Sequence, residues 1–350
     1  MPKKEKTPKK LPYAGWSPLL HGVSQSLIQK FVTDEERFHI RVVRGIKETN
    51  RKEAMEYGSI YHKIDENACK LGNKCSNQSL ALSMAKYMKK VYPSEESALL
   101  GRIALTQYQH FRDWEQTKPK HKHIEQEPVF DEQFELPPIN FSNDTVTVRI
   151  PTGIKMRLRG RIDGIIENNG MWIKETKTKS RIDISHLQDT IHCNIQVMMY
   201  ALCSELKYGR PCCGVVYNVV RKPGLRQRVN ESNEDYILRT DKAIKDDPDY
   251  YFYRLEVEFA PGQVKRWVRE ELLPLLYRIY IWWKSIESNP LEPWADSEEN
   301  VNPFHGRRSF GIYNAMSEGK GDFYNLIVYG RKQGLVHEPE QFPELQDDDE

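Results

Sequence analysis

The 350-residue sequence predicts an α/β fold in which a helical lobe precedes a core that contains sheet, followed by a C-terminal helical cap. Three observations predict it. Apolar residues recur at helical spacing from Val23 to about Thr117. The period then switches to two from Ile124 onward. A turn at Asn168-Asn169-Gly170 joins two β-rich runs that lead into another helical stretch. The order of these patterns divides the chain into a basic N-terminal tail (1–20), a helical lobe (21–120), a core (121–260), a helical cap (261–340) and an acidic tail (341–350).

The elements follow in order. Ser24 or Ser26 is a suitable cap for the first helix, since a short hydroxyl side chain accepts the N–H groups a helix start leaves open. Leu80, Met84, Tyr87 and Met88 form one apolar face, and Glu95 through Leu99, Ile103 and Tyr108 to Trp114 form a second long helix. Ile124 to Phe130 and Thr145 to Ile150 alternate as strands do, with Pro137-Pro138 breaking the chain between them. Leu158 to Glu167 and Met171 to Lys177 read as a hairpin, because Asn and Gly tolerate the positive φ of a tight turn. A helix is predicted from about Ser185 to Lys207, ending near Gly209-Arg210-Pro211. Gly214 to Val220 and Tyr251 to Phe259 are β-rich. Gly262 to Ile286 is helical, with Pro274 inside it.

Composition excludes several classes. Hydrophobic residues are 39% and charged residues 29%, with a mean hydropathy of -0.70, as in a soluble globular chain rather than a membrane or disordered one. The longest apolar stretch, Leu272 to Trp283, has twelve residues and contains Arg278, well short of the roughly 20 a bilayer-spanning helix needs. The lysine-rich start has no apolar stretch behind it, so a reducing cytoplasm is the expected setting. Six irregularly spaced cysteines, two of them adjacent, predict free thiols, and no C-x-x-C spacing points to structural zinc. A net charge of +2 means that an anionic partner must be met by a local patch.

The chemistry-bearing residues gather at the hairpin. Asp163 and Glu175 each lie six residues from the turn centre at Asn169, so they face one another. Opposed antiparallel residues have Cβ atoms about 4.5–5.5 Å apart, and two carboxylates that close repel unless a cation lies between them. The strand period of two places Lys177 on the face of Glu175. Oxygen ligands of this kind suit Mg²⁺ or Mn²⁺, and a neighbouring ammonium can offset charge building on a phosphoryl group, the requirements of phosphodiester hydrolysis. An ordinary ion-paired face of an exposed hairpin has the same composition. Context favours the site, because Gln196 and Tyr200 stand at i and i+4 on the next helix, with His192 one turn earlier on the same stripe.

The ordered set Gly58-Ser-Ile-Tyr-His62, Gly160-Arg-Ile-Asp-Gly164, Glu175-Thr-Lys177 and Gln196-Val-Met-Met-Tyr200 resembles the RecB and AddB nuclease branch of the PD-(D/E)xK superfamily, over roughly Val23 to Val220. The resemblance implies a restriction-endonuclease-like core, a mixed central sheet flanked by helices. It implies His62, Asp163, Glu175 and the backbone carbonyl of Thr176 as metal ligands and Lys177 as catalytic lysine. Gln196 and Tyr200 would brace the site or the DNA backbone. It further implies Mg²⁺ or Mn²⁺ as cofactor, DNA as substrate, products with a 5′-phosphate and a 3′-hydroxyl, and a helicase or single-strand annealing protein as partner. Many relatives carry an iron-sulfur cluster whose cysteines flank the core. Here the late stretch from Asn302 to Tyr324 has no cysteine, so no cluster is expected, and Trp294, Phe304, Phe310 and Tyr324 are expected to hold the cap instead.

Between Arg149 and Arg181 nine basic residues stand against three acidic ones, a local excess suited to phosphate contacts. Arg159, Arg161, Lys179, Arg181 and His192 are the candidate DNA contacts, with Arg221, Lys222, Arg226 and Arg228 extending the basic character. Tyr57, Tyr61 and Trp114 suit core packing better than base stacking. The resulting expectation is a divalent-metal-dependent DNA exonuclease of recombination, repair or viral DNA processing. Its rivals are a structure-directed or spacer-processing endonuclease of the same branch and a catalytically silent DNA-binding scaffold.

Overall fold

The computed structural model describes residues 16–48, 53–92, 94–142, 147–288 and 333–337. In chain order the helices are α1 (Gln25–Thr33), α2 (Glu35–Phe38), α3 (Glu53–Leu71), α4 (Asn77–Val91), α5 (Glu95–Gln116), α6 (Ile184–Thr190), α7 (Ile195–Tyr208), α8 (Asn233–Asp246), α9 (Pro248–Tyr251), α10 (Gln263–Trp267) and α11 (Leu273–Ser288). The strands are β1 (Ile46–Glu48), β2 (Lys122–Gln126), β3 (Val129–Glu135), β4 (Ile139–Ser142), β5 (Thr147–Ile150), β6 (Lys155–Arg161), β7 (Gly164–Glu167), β8 (Met171–Lys179), β9 (Cys212–Arg221), β10 (Phe252–Glu258) and β11 (Leu335–His337). The first helix is capped by Ser24, one of the two serines expected there, which accepts Leu27 N–H, and Ser76 and Ser94 cap later helices by accepting the N–H groups of Ser79 and Ser97. Each such cap stabilises its helix by about 1 kcal/mol.

The chain forms two compact units that do not follow the linear order of its patterns. One comprises Arg51–Val129 and Arg161–Val264. Its five-stranded sheet has the order β10-β9-β8-β7-β2, with β8 and β9 parallel and the other pairs antiparallel. A parallel pair needs a crossover, and α6 and α7 supply it. The helices α3, α4, α5 and α8 share a core with Val220 of β9 and Phe252 of β10. Phe111 and Phe252 meet with ring centroids 5.6 Å apart, and burying side chains of this size contributes roughly 1.5–3 kcal/mol each. Tyr57, Tyr61 and Trp114 are buried in this core, as their packing role requires. Gly58 lets α3 approach β8, since a Cβ there would lie 3.1 Å from Thr178 Oγ1. That approach sets the height of His62, one turn further along α3.

Three predicted elements are broken, two where a polar group from a distant segment competes for the backbone and one where a local side chain does. The run Ile124 to Phe130 divides into β2 and β3 at Glu127, whose φ is 49°, and Pro128, which has no N–H to give a ladder. The run Leu158 to Glu167 divides at Ile162 and Asp163, where Ile162 N–H turns to Pro128 O and Asp163 O accepts from Glu127 N–H. The helix predicted over Ser185 to Lys207 divides at Asn194, whose side chain accepts from Gln196 and Val197 N–H and restarts the helix as α7. That helix ends at Gly209, in the left-handed region at φ 65°.

The other unit comprises Met1–Asn50, Phe130–Gly160 and Lys265–Glu350. Its two-stranded sheets are β3-β6, β4-β5 and β1-β11. Trp16, Phe31, Phe38 and Trp282 pack edge to face, with centroids 5.1–5.6 Å apart. Pro274 falls in the first turn of α11, directly after a π-helical turn at Val268–Leu272 that absorbs the change of backbone pattern its ring imposes. Of the expected cap, the described residues include α10 and α11. Trp294, Phe304, Phe310 and Tyr324 lie outside them, as do the acidic tail and the first fifteen residues. No helix among the described residues is long and apolar enough to cross a membrane. All six cysteines are free thiols.

Candidate active site on the central sheet

The β7-β8 register pairs Gly164 with Lys174 and Glu167 with Met171, so one step further along Asp163 stands opposite Glu175. Asp163 sits in the joint between β6 and β7, off the regular ladder. This frees its carboxylate to take the Thr176 N–H on Oδ2 at 2.6 Å. Thr176 is buried, and its N–H is thereby committed to the acidic pair.

Glu175 is 1% exposed. Its Oε1 accepts from Lys177 Nζ at 2.7 Å and from Gln196 Nε2 at 2.7 Å. The same amide nitrogen donates to the Tyr200 hydroxyl at 3.2 Å, so the i, i+4 pair of α7 braces one carboxylate oxygen. The other oxygen, Oε2, is buried with no hydrogen-bond partner among the described residues. His62 Nδ1 lies 4.0 Å from Asp163 Oδ1. The sequence-predicted residues His62, Asp163, Glu175, Thr176, Lys177, Gln196 and Tyr200 therefore come together in one unit. Among the described residues no three His, Cys, Asp and Glu side chains already close into a metal-holding cluster. The expected ligands are assembled in pairs, with Lys177 on the oxygen of Glu175 nearest to it.

The charges explain one another. Burial, and then Asp163, push the Glu175 carboxyl well above the ordinary range, against the pull of Lys177 and Gln196. Burial pulls the Lys177 ammonium down, but Glu175 and Asp163 outweigh it and hold the pKa above that of a free lysine. Burial and Glu175 likewise raise the Tyr200 phenol, which stays a neutral donor and acceptor. A site with two facing carboxylates, one partnerless buried carboxylate oxygen and one cation has room in its charge balance for a second cation. Its oxygen donors are of the hard type that Mg²⁺ and Mn²⁺ prefer.

Two further acids approach the site that the sequence reading missed. Glu66 and Glu127 each place a carboxylate oxygen 3.9 Å from Arg161 Nη1. Burial, and then Glu66, raise the Glu127 carboxyl to about 7. A signal existed for Glu66, four residues after His62 on the same helix face. None existed for Glu127, which reaches the site only through the break between β2 and β3.

The basic excess is divided by strand alternation. Lys177 and Glu175 share one face of β8, whereas Lys174 faces the other way and pairs with Glu115 at 2.7 Å. Of the candidate DNA contacts, Arg161 and Arg181 are exposed and Lys179 is half-buried beyond Lys177 on β8. His192 is exposed but falls in the 3-10 turn before α7, where its Nδ1 lies 3.3 Å from Gln263 Nε2, so it leaves the stripe of Gln196 and Tyr200. Arg159 corrects the expectation: it belongs to the other unit and its side chain is 1% exposed, because its place on β6 points it into the core rather than to solvent. Arg157 is spent on Asp131 and on Leu20 O.

No curated protein matches the chain. The family model described as the PD-(D/E)XK nuclease superfamily matches residues 22–273, more than two thirds of the sequence, and this span includes every residue of the carboxylate, lysine and glutamine arrangement. The match covers well over half of the chain, and the chain belongs to the PD-(D/E)XK nuclease superfamily.

Proposed function

We propose that this chain is a divalent-metal-dependent DNA exonuclease of the RecB/AddB-like branch, acting in recombination, repair or viral DNA processing. The observation that carries the reading is the buried Glu175 carboxylate, opposite Asp163, steadied on Oε1 by Lys177 and Gln196 and left without a partner on Oε2 among the described residues. Asp163, Glu175, His62 and the carbonyl of Thr176 would hold the cation. When bound, a divalent cation supplies Lewis-acid polarisation of the phosphate and helps activate the attacking water.

The protein groups do the rest. Lys177 stays protonated, so it orients the nucleophile and offsets charge on the phosphorane-like transition state instead of removing a proton. Gln196 fixes the Glu175 rotamer, and Tyr200 fixes Gln196. Arg161, Lys179 and Arg181 would meet backbone phosphates, giving sequence-independent, salt-sensitive affinity.

End-labelled duplex and single-stranded DNA, incubated with Mg²⁺ or Mn²⁺ and with chelator, test the reading. Loss of label from linear DNA, with closed circles left intact, supports an exonuclease. Cutting of circles would assign an endonuclease instead. Lys177→Ala is expected to lower cleavage at least 100-fold, the scale of losing one transition-state contact. Unchanged cleavage in that variant would remove the activity from this site.

A further inference from the structure

A cleft of about 270 Å³ opens on the face of the sheet opposite Glu175, between the C-terminal end of α5 and the strands β2, β7, β8, β9 and β10. None of the candidate catalytic residues lines it. Four cationic side chains do: Arg112, Lys120, Lys174 and Arg254, against a single carboxylate, Glu115. Glu115 is shared, receiving Lys174 Nζ at 2.7 Å and Arg254 Nη2 at 2.9 Å. Arg254 is further fixed by Nε donation to Asn218 Oδ1 at 2.8 Å, and its side chain is only 7% exposed. One carboxylate thus anchors two buried cations in place, and the remaining positive charge of the cleft has no carboxylate lining it.

Arg112 and Lys120 supply that remainder. The Arg112 guanidinium donates to Cys75 Sγ at 3.4 Å, a weak acceptor, and Lys120 is exposed at the rim. His123 also lines the cleft, and burial together with Lys174 lowers its pKa, so it offers a neutral imidazole. His121 is drawn to Glu256 at 3.3 Å. Ile166 of β7 and Val216 of β9 close the bottom but are each 1% exposed, so the uncharged surface facing the opening is that of the exposed Pro119 and His123. A concentrated positive charge beside a proline ring and a neutral imidazole calls for an anion carrying an unsaturated or sugar-like body. Guanidinium and ammonium groups fit phosphate oxygens through charge-assisted hydrogen bonds. The volume lies just below the roughly 300–1,000 Å³ of sites for drug-sized ligands, too small for an oligonucleotide.

We propose that this cleft binds a phosphomonoester of mononucleotide size, its phosphate between Arg112, Lys120 and the Lys174-Arg254 pair and its base against His123 and Pro119. Lys174 and Glu175 are consecutive on β8, so a ligand here rests one peptide unit from the candidate catalytic carboxylate, on the reverse of the same strand. The assignment stands on the cleft alone and does not depend on the nuclease reading. Phosphodiester hydrolysis does, however, generate this class of molecule.

Calorimetric titration of the full chain in chelator, with deoxyadenosine 5′-monophosphate, inorganic phosphate and deoxyadenosine as separate probes, tests it. The nucleotide is expected to bind at one site and more tightly than either fragment. The double variant Arg112→Ala/Lys120→Ala should weaken it at least tenfold, about 1.4 kcal/mol. Lys120→Glu, a change at an exposed position that the fold tolerates, should weaken it as well. Lys177→Ala should leave it unchanged, which separates this cleft from the candidate active site. The proposal is overturned if the nucleotide does not bind, if either fragment binds equally well, or if Lys177→Ala abolishes binding while the cleft variants retain it.

Discussion

Glu175→Gln should abolish cleavage and yet leave the metal-free protein as stable or more stable. Burial stands against the native carboxylate, at several kcal/mol for an ion of this size. Asp163 adds to it, about 3 kcal/mol for like charges about 5 Å apart at an effective dielectric near 20. In its favour are Lys177 at 2.7 Å, about 6 kcal/mol on the same scale, and the Gln196 amide. The opposing contributions nearly cancel, and the raised carboxyl shows that burial and Asp163 prevail. Glutamine keeps an oxygen for Lys177 and Gln196 to donate to, and it cannot ionise. The expected gain is about 1–2 kcal/mol.

Its pH dependence has a definite sign. A carboxyl whose folded pKa is raised binds its proton more tightly in the folded state, so native stability falls as pH rises from the ordinary Glu value near 4.3 toward the folded value. The advantage of the variant should therefore vanish near pH 4 and grow toward pH 7.5. Urea unfolding in chelator at several pH values reads this directly. A variant less stable than the native chain by more than about 1 kcal/mol at pH 7.5 would refute the reasoning, because Lys177 would then outweigh burial and Asp163.

Magnesium added to the chelated protein should raise its melting temperature by linkage, and scanning calorimetry should find that shift lost in Glu175→Gln. Gln196→Ala, which frees the Glu175 rotamer, should lower kcat by about tenfold or more with little change in DNA affinity, measured by single-turnover cleavage beside filter binding. Glu115→Gln leaves Lys174 and Arg254 buried without their shared anion and should cost about 3–5 kcal/mol at neutral pH. Burial pushes the Glu115 carboxyl up, but Lys174 and Arg254 more than reverse it. Its contribution is therefore present above about pH 4.3 and lost as pH falls further, so native and variant urea curves should converge in acid. Gly214→Ala would drive a Cβ into Val257 O and put it 2.6 Å from the Trp172 ring, and a thermal melt should show about 1–3 kcal/mol of destabilisation.

The hairpin was readable because two local rules suffice for it: a turn residue that accepts positive φ marks the centre, and strand alternation counts outward from there. Asn169 takes φ 49°, and counting from it matches the observed pairing of β7 with β8 residue by residue. The Ser24 cap was readable for the same reason, since a cap and its N–H partner are three residues apart. The breaks at Glu127, Ile162-Asp163 and Asn194 were not. At the first two, the competing hydrogen bonds join segments more than thirty residues apart, and no window of sequence contains both ends. Arg159 shows the converse failure, because a run of arginines looks like a solvated face until the packing of its strand buries one of them.

Residue order alone thus determined the chemistry on offer at the sheet: two opposed acids, a lysine two positions on, and an amide and a phenol at i, i+4 on the next helix. These depend on backbone periods that hold whatever the rest of the chain does. Tertiary structure decided which oxygen Lys177 and Gln196 occupy and which is left without a partner. It also brought Glu66 and Glu127 beside Arg161 and turned Lys174 into a separate cationic cleft. Those outcomes depend on burial and on contacts between residues distant in sequence, and burial sets what each charge costs.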